Sequence, residues 1–363
     1  MKYVALLFLF IQIILLLNAM INLLWRVKFQ VLPGSVHQLI SIIIPVRNEE
    51  NNIAVILSDI KKVTNCQLEI IVVDDASDDN TVNVVKTCID NDRRIQLIQI
   101  EQKPDNWFGK NYACYSGAKV AKGEYLLFVD ADVRLSTASV LSALSYLIKS
   151  KSHLLSVFPV QLFPNDEVAK VVPLMNYILL SLLPLPFVRY APFSSMSAAN
   201  GQFMLFRTSA YKSIEPHKQF CTSRVEDIQI ARYMKRKKMN IACVAAPGDV
   251  YCNMYDSKEE ALNGFSKNVA EFFGGSHLLA LAFWGFNFIG WLVFVVSAQW
   301  LWFVFYLMLV LLSRVLISIV SRQNVWINCK LHFVQLYYLG VLILKSIYNN
   351  KNKRFEWKGR NVY

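Results

Sequence analysis

Tyr125-Leu126-Leu127-Phe128-Val129-Asp130-Ala131-Asp132 is an apolar run that delivers two carboxylates at its end, with one alanine between them. It reads as a buried strand whose last residues present acid. Ionised carboxylates this close repel, and their pKa values rise unless a cation sits between them. Mg²⁺ and Mn²⁺ take hard oxygen ligands, and need only one or two protein carboxylates when substrate phosphates complete the shell. Taken alone, the run is equally a solvated strand end. A second apolar strand, Glu69-Ile70-Ile71-Val72-Val73, ends in Asp74-Asp75 and continues Ala76-Ser77-Asp78-Asp79-Asn80-Thr81. Two strands tipped with acid point to one metal–nucleotide site.

Outward from this run the pattern alternates. Strands are predicted at 39–45, 69–73, 95–100 and 125–129, and helices at 49–63, from about 77 to 89, and at 111–120. Strand–helix alternation predicts an α/β domain, a mostly parallel sheet with helices on both faces. Ligands of such sheets gather outside the carboxyl ends of the strands, where the acids lie. No Gly-x-Gly-x-x-Gly follows the first strand and no Walker lysine loop occurs, which argues against a dehydrogenase and a P-loop kinase.

The ends of the chain are of a different kind. Of the 363 residues 55% are hydrophobic and 18% charged, and the apolar excess lies at the two ends. Tyr3 to Leu24 is about 22 apolar residues, long enough to cross a bilayer and too long for a cleaved leader. Arg26 and Lys28 mark its cytoplasmic side. The stretch 278–320 is long enough for two spans joined near Ser297-Ala298-Gln299, with Arg314 either snorkelling or facing a polar cavity. The stretch 331–347 is read as a re-entrant or interfacial element rather than a further span. Lys351, Lys353, Arg354, Lys358 and Arg360 then keep the tail in the cytoplasm. The expected division is an anchor at 1–25, a catalytic domain at 39–275, transmembrane or interfacial helices at 278–348, and a basic tail at 349–363. Within the catalytic domain, 164–192 is apolar and broken by Pro173, Pro184 and Pro186. It is either an interfacial element framing a route for an apolar substrate or a buried helix pair.

The net charge of +12 includes Lys235-Arg236-Lys237-Lys238. Beside apolar ends this favours anionic membrane lipids as partners over nucleic acid. The seven cysteines form no Cys-x-x-Cys pair and no framework spacing, which disfavours zinc and disulfides. The five histidines show no ligand spacing.

Five landmarks occur in order: Ile44-Pro-Val-Arg-Asn-Glu-Glu50, Val73-Asp-Asp-Ala-Ser-Asp-Asp-Asn-Thr81, Trp107-Phe-Gly-Lys110, Val129-Asp-Ala-Asp132 and Val225-Glu-Asp227. The series resembles the family 2 glycosyltransferases with the nucleotide-binding GT-A fold, over roughly 39–275. Leu155-Ser-Val-Phe-Pro159, Ala199-Asn-Gly-Gln-Phe203, Leu205-Phe-Arg207, Gly264-Phe-Ser-Lys-Asn268 and Glu356-Trp-Lys-Gly-Arg360 are similar to the membrane-anchored enzymes that glycosylate carotenoids, the chlorobactene glucosyltransferase type.

That resemblance implies roles. Pro45, Arg47 and Glu49 would lie where the nucleotide base and ribose rest, and Asp75 would accept a hydrogen bond from uracil, while Asp74 stabilises the turn. Lys110 would approach the nucleotide or its diphosphate. Asp132 would hold Mg²⁺ or Mn²⁺, and Asp130 would touch the ribose or share the metal. Of the pair Glu226 and Asp227, which also suits a helix N-terminus, Asp227 is expected as the base and Glu226 beside it. The Gln-x-x-Arg-Trp run of many processive relatives is missing, which counts against a polymerising synthase. The tail at 356–360 would either contact donor phosphates or face lipid. The expected reaction is an inverting transfer of one sugar, by default from UDP-glucose, to the hydroxyl of a carotenoid or other isoprenoid lipid. Polyprenyl phosphate, hopanoid or sterol-like lipid and diacylglycerol are the alternative acceptors. A non-catalytic nucleotide-sugar-binding membrane protein is the remote alternative.

Overall fold

Ile40, Ile42, Ile43 and Ile44 are consecutive or near-consecutive on one strand, and none has any exposed surface. A strand apolar on both faces needs cover on both, which parallel pairing with crossover helices supplies. The computed structural model describes residues 2–30, 36–64, 66–90, 92–352, 356–357 and 360–361. The chain divides into two compact units, one of residues 27–160 and 188–252, the other of 1–26, 161–187 and 253–363.

The first unit carries strands β1 (Val36–Val46), β2 (Cys66–Asp74), β3 (Ile95–Gln99), β4 (Tyr125–Val129), β5 (Val133–Leu135), β6 (Leu154–Phe158), the start of β7 (Val160–Gln161), β8 (Phe203–Arg207), β9 (Ile241–Ala245) and β10 (Val250–Cys252). Seven of them form one sheet in the order β3-β2-β1-β4-β8-β6-β9. β1 pairs in parallel with β2 and β4, and β2 with β3, so their carboxyl ends share one edge. β8 is antiparallel to both β4 and β6, with Val129 opposite Phe203. The residues just before Phe203 therefore lie beside the acids that follow Val129. A small antiparallel pair sets Cys252 of β10 opposite Val133 of β5.

The core joins Ile42, Ile44, Val72, Leu127, Val129, Leu155 and Phe203 to Ile53, Ile56, Leu57 and Ile60 of the helix Ile53–Lys61. That helix is shorter than the expected 49–63, because the chain before it turns, with the amides of Asn48, Glu49 and Glu50 taken by the Ser77, Thr81 and Asp79 side chains. Asp59 on the same helix is 5% exposed and receives Arg134 Nε (2.6 Å), Arg134 Nη2 (3.1 Å) and the Leu135 amide (3.3 Å). It thereby ties the helix to β5, directly after the paired acids.

The second unit is helical. Lys2–Leu24 packs Ala5, Leu9 and Leu16 against Phe294, Tyr306, Leu309 and Val310. Asn22 donates to the carbonyls of Leu180 and Leu183 (3.0 Å each) and accepts from the Leu185 amide (2.7 Å). One side chain thus satisfies the polar groups freed where Pro184 ends the helix Pro173–Leu182. Among the described residues, two helices are long and apolar enough to cross a membrane, Tyr3–Leu24 and Trp300–Val320. In the stretch 278–320 only Trp300–Val320 meets that test by itself. His277–Ile289 has 13 residues, about 20 Å of rise, short of a hydrocarbon core of about 30 Å, and the short helix Leu292–Val296 follows it before Trp300–Val320.

The stretch 331–347 lies in one continuous helix, His332–Lys351, of 20 residues, longer than a short re-entrant element. Within 164–192, Leu174, Tyr177, Ile178 and Leu180 of the helix Pro173–Leu182 are at most 1% exposed, whereas Phe187 and Tyr190 of the helix Leu185–Tyr190 are exposed. Residues 161–187 and 253–275 group with the helical unit, so the expected continuous domain 39–275 is interrupted. Arg314 does not snorkel. It is buried, donates to Gln335 and to the Asn328 carbonyl, and lies 4.7 Å over the Tyr177 ring. In the tail, Glu356–Trp357 pairs with Arg360–Asn361. Lys358, Gly359 and the expected phosphate contacts of 356–360 lie outside the described residues and side chains.

Removing the Asp59 carboxylate leaves the Leu135 amide buried and unpaired, at a cost of about 1–3 kcal/mol. Asp59→Ala is therefore expected to lower Tm by several degrees. Burial raises the Asp59 pKa, but the Arg134 and Leu135 hydrogen bonds outweigh it and hold it below the usual value. This stabilisation is present above the ordinary carboxylate range and is lost as pH falls, so the Asp59→Ala deficit should shrink in acid melts. An equal deficit at pH 7 and pH 3 would refute the assignment.

Candidate active site

The site forms where β1, β2 and β4 end and the helices Gly109–Val120 and Glu226–Arg236 begin. Asp74 is spent on its own turn, its carboxylate accepting from the Ser77 amide at 3.2 Å and from the Ser77 hydroxyl. Ala76 has a positive φ of 52°, which closes that turn. Arg47 is 7% exposed and donates to the carbonyls of Asp75 (2.7 Å) and Ala76 (2.5 Å) and to Asp78 (3.2 Å). Its two terminal nitrogens brace the turn after β2, and its Nε is left without a hydrogen-bond partner. Pro45 lies beside Val73 in the sheet register, one strand-end from Asp75. Asp75 sits directly under Gly109: a Cβ there would fall 1.8 Å from Asp75 Oδ2, so only glycine lets the helix start so close. That close approach is what places Lys110.

Lys110 Nζ lies 2.8 Å from both oxygens of Asp130 and 3.9 Å from Glu226 Oε1. Burial works against its charge, but Asp130 and Glu226 override it and hold the ammonium well above its ordinary pKa. Asp132 is the opposite case. Burial first, then the neighbouring charges of Asp130 and Glu49, push its carboxyl up to about 7, with Lys110 opposing. Its Oδ1 is buried and has no hydrogen-bond partner. Glu226 is likewise pushed up to about 7 by burial and by Asp227, against Lys110. Asp227 is raised by burial, although its Oδ2 accepts from the Gly201 amide (2.9 Å) and its Oδ1 from the Ile228 amide (2.8 Å).

The structure thus brings Asp130, Asp132, Lys110, Glu226 and Asp227 together, with Glu49 close enough to act on Asp132. Pro45, Arg47 and Asp75 form the adjacent turns. An orphaned carboxylate oxygen among like charges fits a divalent cation on Asp132 and Asp130. Among the described residues, no group of three His, Cys, Asp or Glu is arranged to hold a metal. Further ligands would then come from substrate oxygens.

Three participants escaped the reading of motifs by charge. Gly201 faces the site, and a Cβ there would be 3.4 Å from Glu226 Oε1 and Lys110 Nζ. Gln202 and Cys252 stand behind Asp132: the Gln202 amide donates to the Cys252 sulfur, and β-pairing sets Cys252 opposite Val133, next to Asp132. The signal for the first two was the segment Ala199-Asn-Gly-Gln-Phe203; the isolated Cys252 gave none. The buried His217, paired with the Tyr211 hydroxyl at 2.8 Å, packs on Phe128 and is structural. Lys235, in the basic run, is 7% exposed and donates to the carbonyls of Ala191 and Met196, so the run is not a continuous exposed stripe.

A carboxyl whose pKa rises on folding, from 3.8 to about 7 for Asp132, favours the folded state fully only below the lower value. That contribution is lost as pH rises through about 7. Metal-free protein should therefore melt lower at pH 8 than at pH 5.5. Asp132→Asn, which cannot ionise, should melt higher than wild type at pH 8 and reduce the difference, Glu226 leaving part of the slope. At roughly 1.4 kcal/mol per pKa unit the gain is on the order of a few kcal/mol. Calorimetric melts in chelator check this, and parallel wild-type and variant profiles would contradict it.

Comparison with known proteins places this geometry. The family model described as Glycosyl transferase family 2 matches residues 41–214. The chain is 26% identical over 248 residues to a 4,4'-diaponeurosporenoate glycosyltransferase of Staphylococcus haemolyticus (strain JCSC1435), covering 65% of this chain and 62% of that protein. A protein of the same name from Staphylococcus aureus (strain MRSA252) is 33% identical over 126 residues, 34% of this chain and 32% of that one. The chain therefore spans less than two thirds of the length of these curated relatives. Among solved structures, the mannosyltransferase PcManGT from Pyrobaculum calidifontis, in complex with GDP-Man and Mn²⁺, aligns over 96% of this chain and 99% of that one. The TM-score is 0.58 at 14% identity, which shows a shared GT-A fold.

Proposed function

We propose that the protein, whose residues 41–214 match the family model described as Glycosyl transferase family 2, moves one sugar from a nucleotide-diphosphate donor to an oxygen of a carotenoid or related isoprenoid lipid. The observation that carries this reading is Asp132, its buried Oδ1 without a partner, beside Asp130, Lys110 and the Glu226–Asp227 pair. UDP-glucose is the proposed donor. Mg²⁺ or Mn²⁺ is proposed on Asp132 and Asp130, where it would neutralise the charge that accumulates on the departing diphosphate. A neighbour of the same fold holds Mn²⁺ together with GDP-Man.

The residues divide the work. Lys110, a point charge with rotatable donors, can leave Asp130 for a phosphate oxygen. Asp227 is oriented by two amides, and is proposed to accept the proton of an attacking hydroxyl. Glu226 holds Lys110 from the other side. Attack from the side opposite the departing diphosphate would invert an α-linked donor to a β-glycoside.

The relatives are named for an acceptor acid, diaponeurosporenoate, which favours a second reading of the nucleophile. A carboxylate is already ionised near neutral pH and needs no base, whereas a hydroxyl does. The two apolar helices, with Arg26 and Lys28 just after the first, support a cell-membrane enzyme of more than one pass, its catalytic unit on the cytoplasmic side and in contact with membrane lipids.

The test is metal-dependent release of UDP from UDP-glucose by protein in detergent, with a hydroxylated carotenoid, a carotenoid acid, or neither. Acceptor-stimulated release is expected, and Asp132→Asn should reduce it by at least two orders of magnitude. Asp227→Asn should cost about 10²–10⁴-fold with the hydroxylated acceptor and far less with the acid. Nucleotide-sugar binding without release to any acceptor would favour a non-catalytic binding protein. No binding of any nucleotide sugar would end the proposal.

A further inference from the structure

The turn before β8 bonds directly to two acids of the site and reaches toward a third. The Asp130 amide donates to the Gln202 carbonyl (3.2 Å), and the Gly201 amide donates to Asp227 (2.9 Å). The third link runs through side chains, and its direction is fixed. The Gln202 amide, which can only donate, is 3.0 Å from Asn200 Oδ1. That assigns the oxygen end of Asn200, so its Nδ2 donates to Gln202 Oε1 at 3.1 Å. The oxygen end of Gln202 is then assigned as well, and its Nε2 donates to Cys252 Sγ at 2.7 Å. A sulfur that accepts from the amide turns its own proton away from it, and the pairing of Cys252 with Val133 sets that thiol beside Asp132.

The chain of donors starts at a backbone amide and ends beside the residue proposed to hold the metal. Its members are closed to water: Gln202 is 3% exposed and Cys252 0%. It is anchored at its origin too, since Ser156 Oγ accepts from the Asn200 amide (2.7 Å) and donates to the Asn200 carbonyl (3.2 Å). β10 delivers the cysteine, because pairing of Cys252 with Val133 sets it next to Asp132.

We propose that Gln202 and Cys252 are positioning residues that aim the Asp132 carboxylate at a divalent cation, and that the turn Asn200-Gly201-Gln202 fixes the metal ligand and the base together. The thiol stands beside the carboxylate, whose Oδ1 has no protein partner. The arrangement rests on the metal reading given above. Partners behind a metal ligand typically change metal affinity by 10–100-fold when removed.

The experiment is Mn²⁺ binding, followed by electron paramagnetic resonance of free Mn²⁺, in full-length protein with UDP present. Cys252→Ala and Gln202→Met are expected to weaken Mn²⁺ about 10–100-fold, with UDP affinity in chelator unchanged. Cys252→Ser keeps a hydrogen donor at this position and should stay within a few-fold of wild type. A structural role alone would lower Tm in Cys252→Ala and leave Mn²⁺ affinity unmoved in the folded protein. Unchanged Mn²⁺ affinity in Cys252→Ala and Gln202→Met would overturn the inference while the metal reading stands. So would a loss in Cys252→Ser as large as that in Cys252→Ala. Failure of wild-type protein to bind Mn²⁺ would overturn the metal reading, and the inference with it.

Discussion

The constraint on which this fold turns is the confinement of Asp130, Asp132, Glu226 and Asp227, with Glu49 nearby, around one ammonium, that of Lys110. Charges of one sign brought this close in a partly dry site interact by kcal/mol rather than tenths. Lys110 answers part of that repulsion. Asp132 and Glu226 rise to about 7, first through burial and then through the neighbouring acids that Lys110 does not fully offset. The site is therefore short of positive charge, which is the electrostatic condition for taking up a cation with a phosphate-bearing ligand.

The sheet explains how the acids are held against their own repulsion. Three parallel strands bring Arg47, Asp75 and Asp130 to one edge, and the Arg47 guanidinium braces the turn after β2. The reversal of β8 is the decisive step. Running against β4, it lets the turn before Phe203 stand beside Asp130 and supply a carbonyl to it and an amide to Asp227. An all-parallel sheet would send that turn to the opposite edge. Gly109 then lets backbone approach carboxylate where any Cβ would crowd Asp75.

Much of this was legible in the sequence. Apolar runs capped by acids gave the strands, their direction and the edge that carries the site, because burial on both faces and charge at one end leave few other arrangements. Lys110 and the Glu226–Asp227 pair were legible as an ordered series, though their roles rest on family resemblance. What escaped is what depends on long-range register. Cys252 is an unremarkable cysteine until β10 pairs with β5, and the bracing of the turn after β2 by Arg47 is hidden until the carbonyls of Asp75 and Ala76 are brought to it. The apolar stretches were legible as apolar, but the positions where helices break were not. Gly290 and the turn to Trp300 shorten the expected span, and Asn22 stabilises the break at Pro184 from across the unit.

The amide chain from Gln202 to Cys252 bears on how the two halves of the chemistry are matched. A metal ligand and a base must be correctly placed at the same moment, since each lowers the barrier only when the other group's geometry also holds. Independent supports would let thermal motion of one drift against the other. Here the same three residues, 200–202, bond to Asp130 and Asp227 and, through Cys252, reach toward Asp132, while Ser156 pins the turn to the middle of the sheet. A displacement of the turn would move all three acids together and keep their mutual distances. Correlated placement of this kind is what a rigid template offers over separate hydrogen bonds of equal strength.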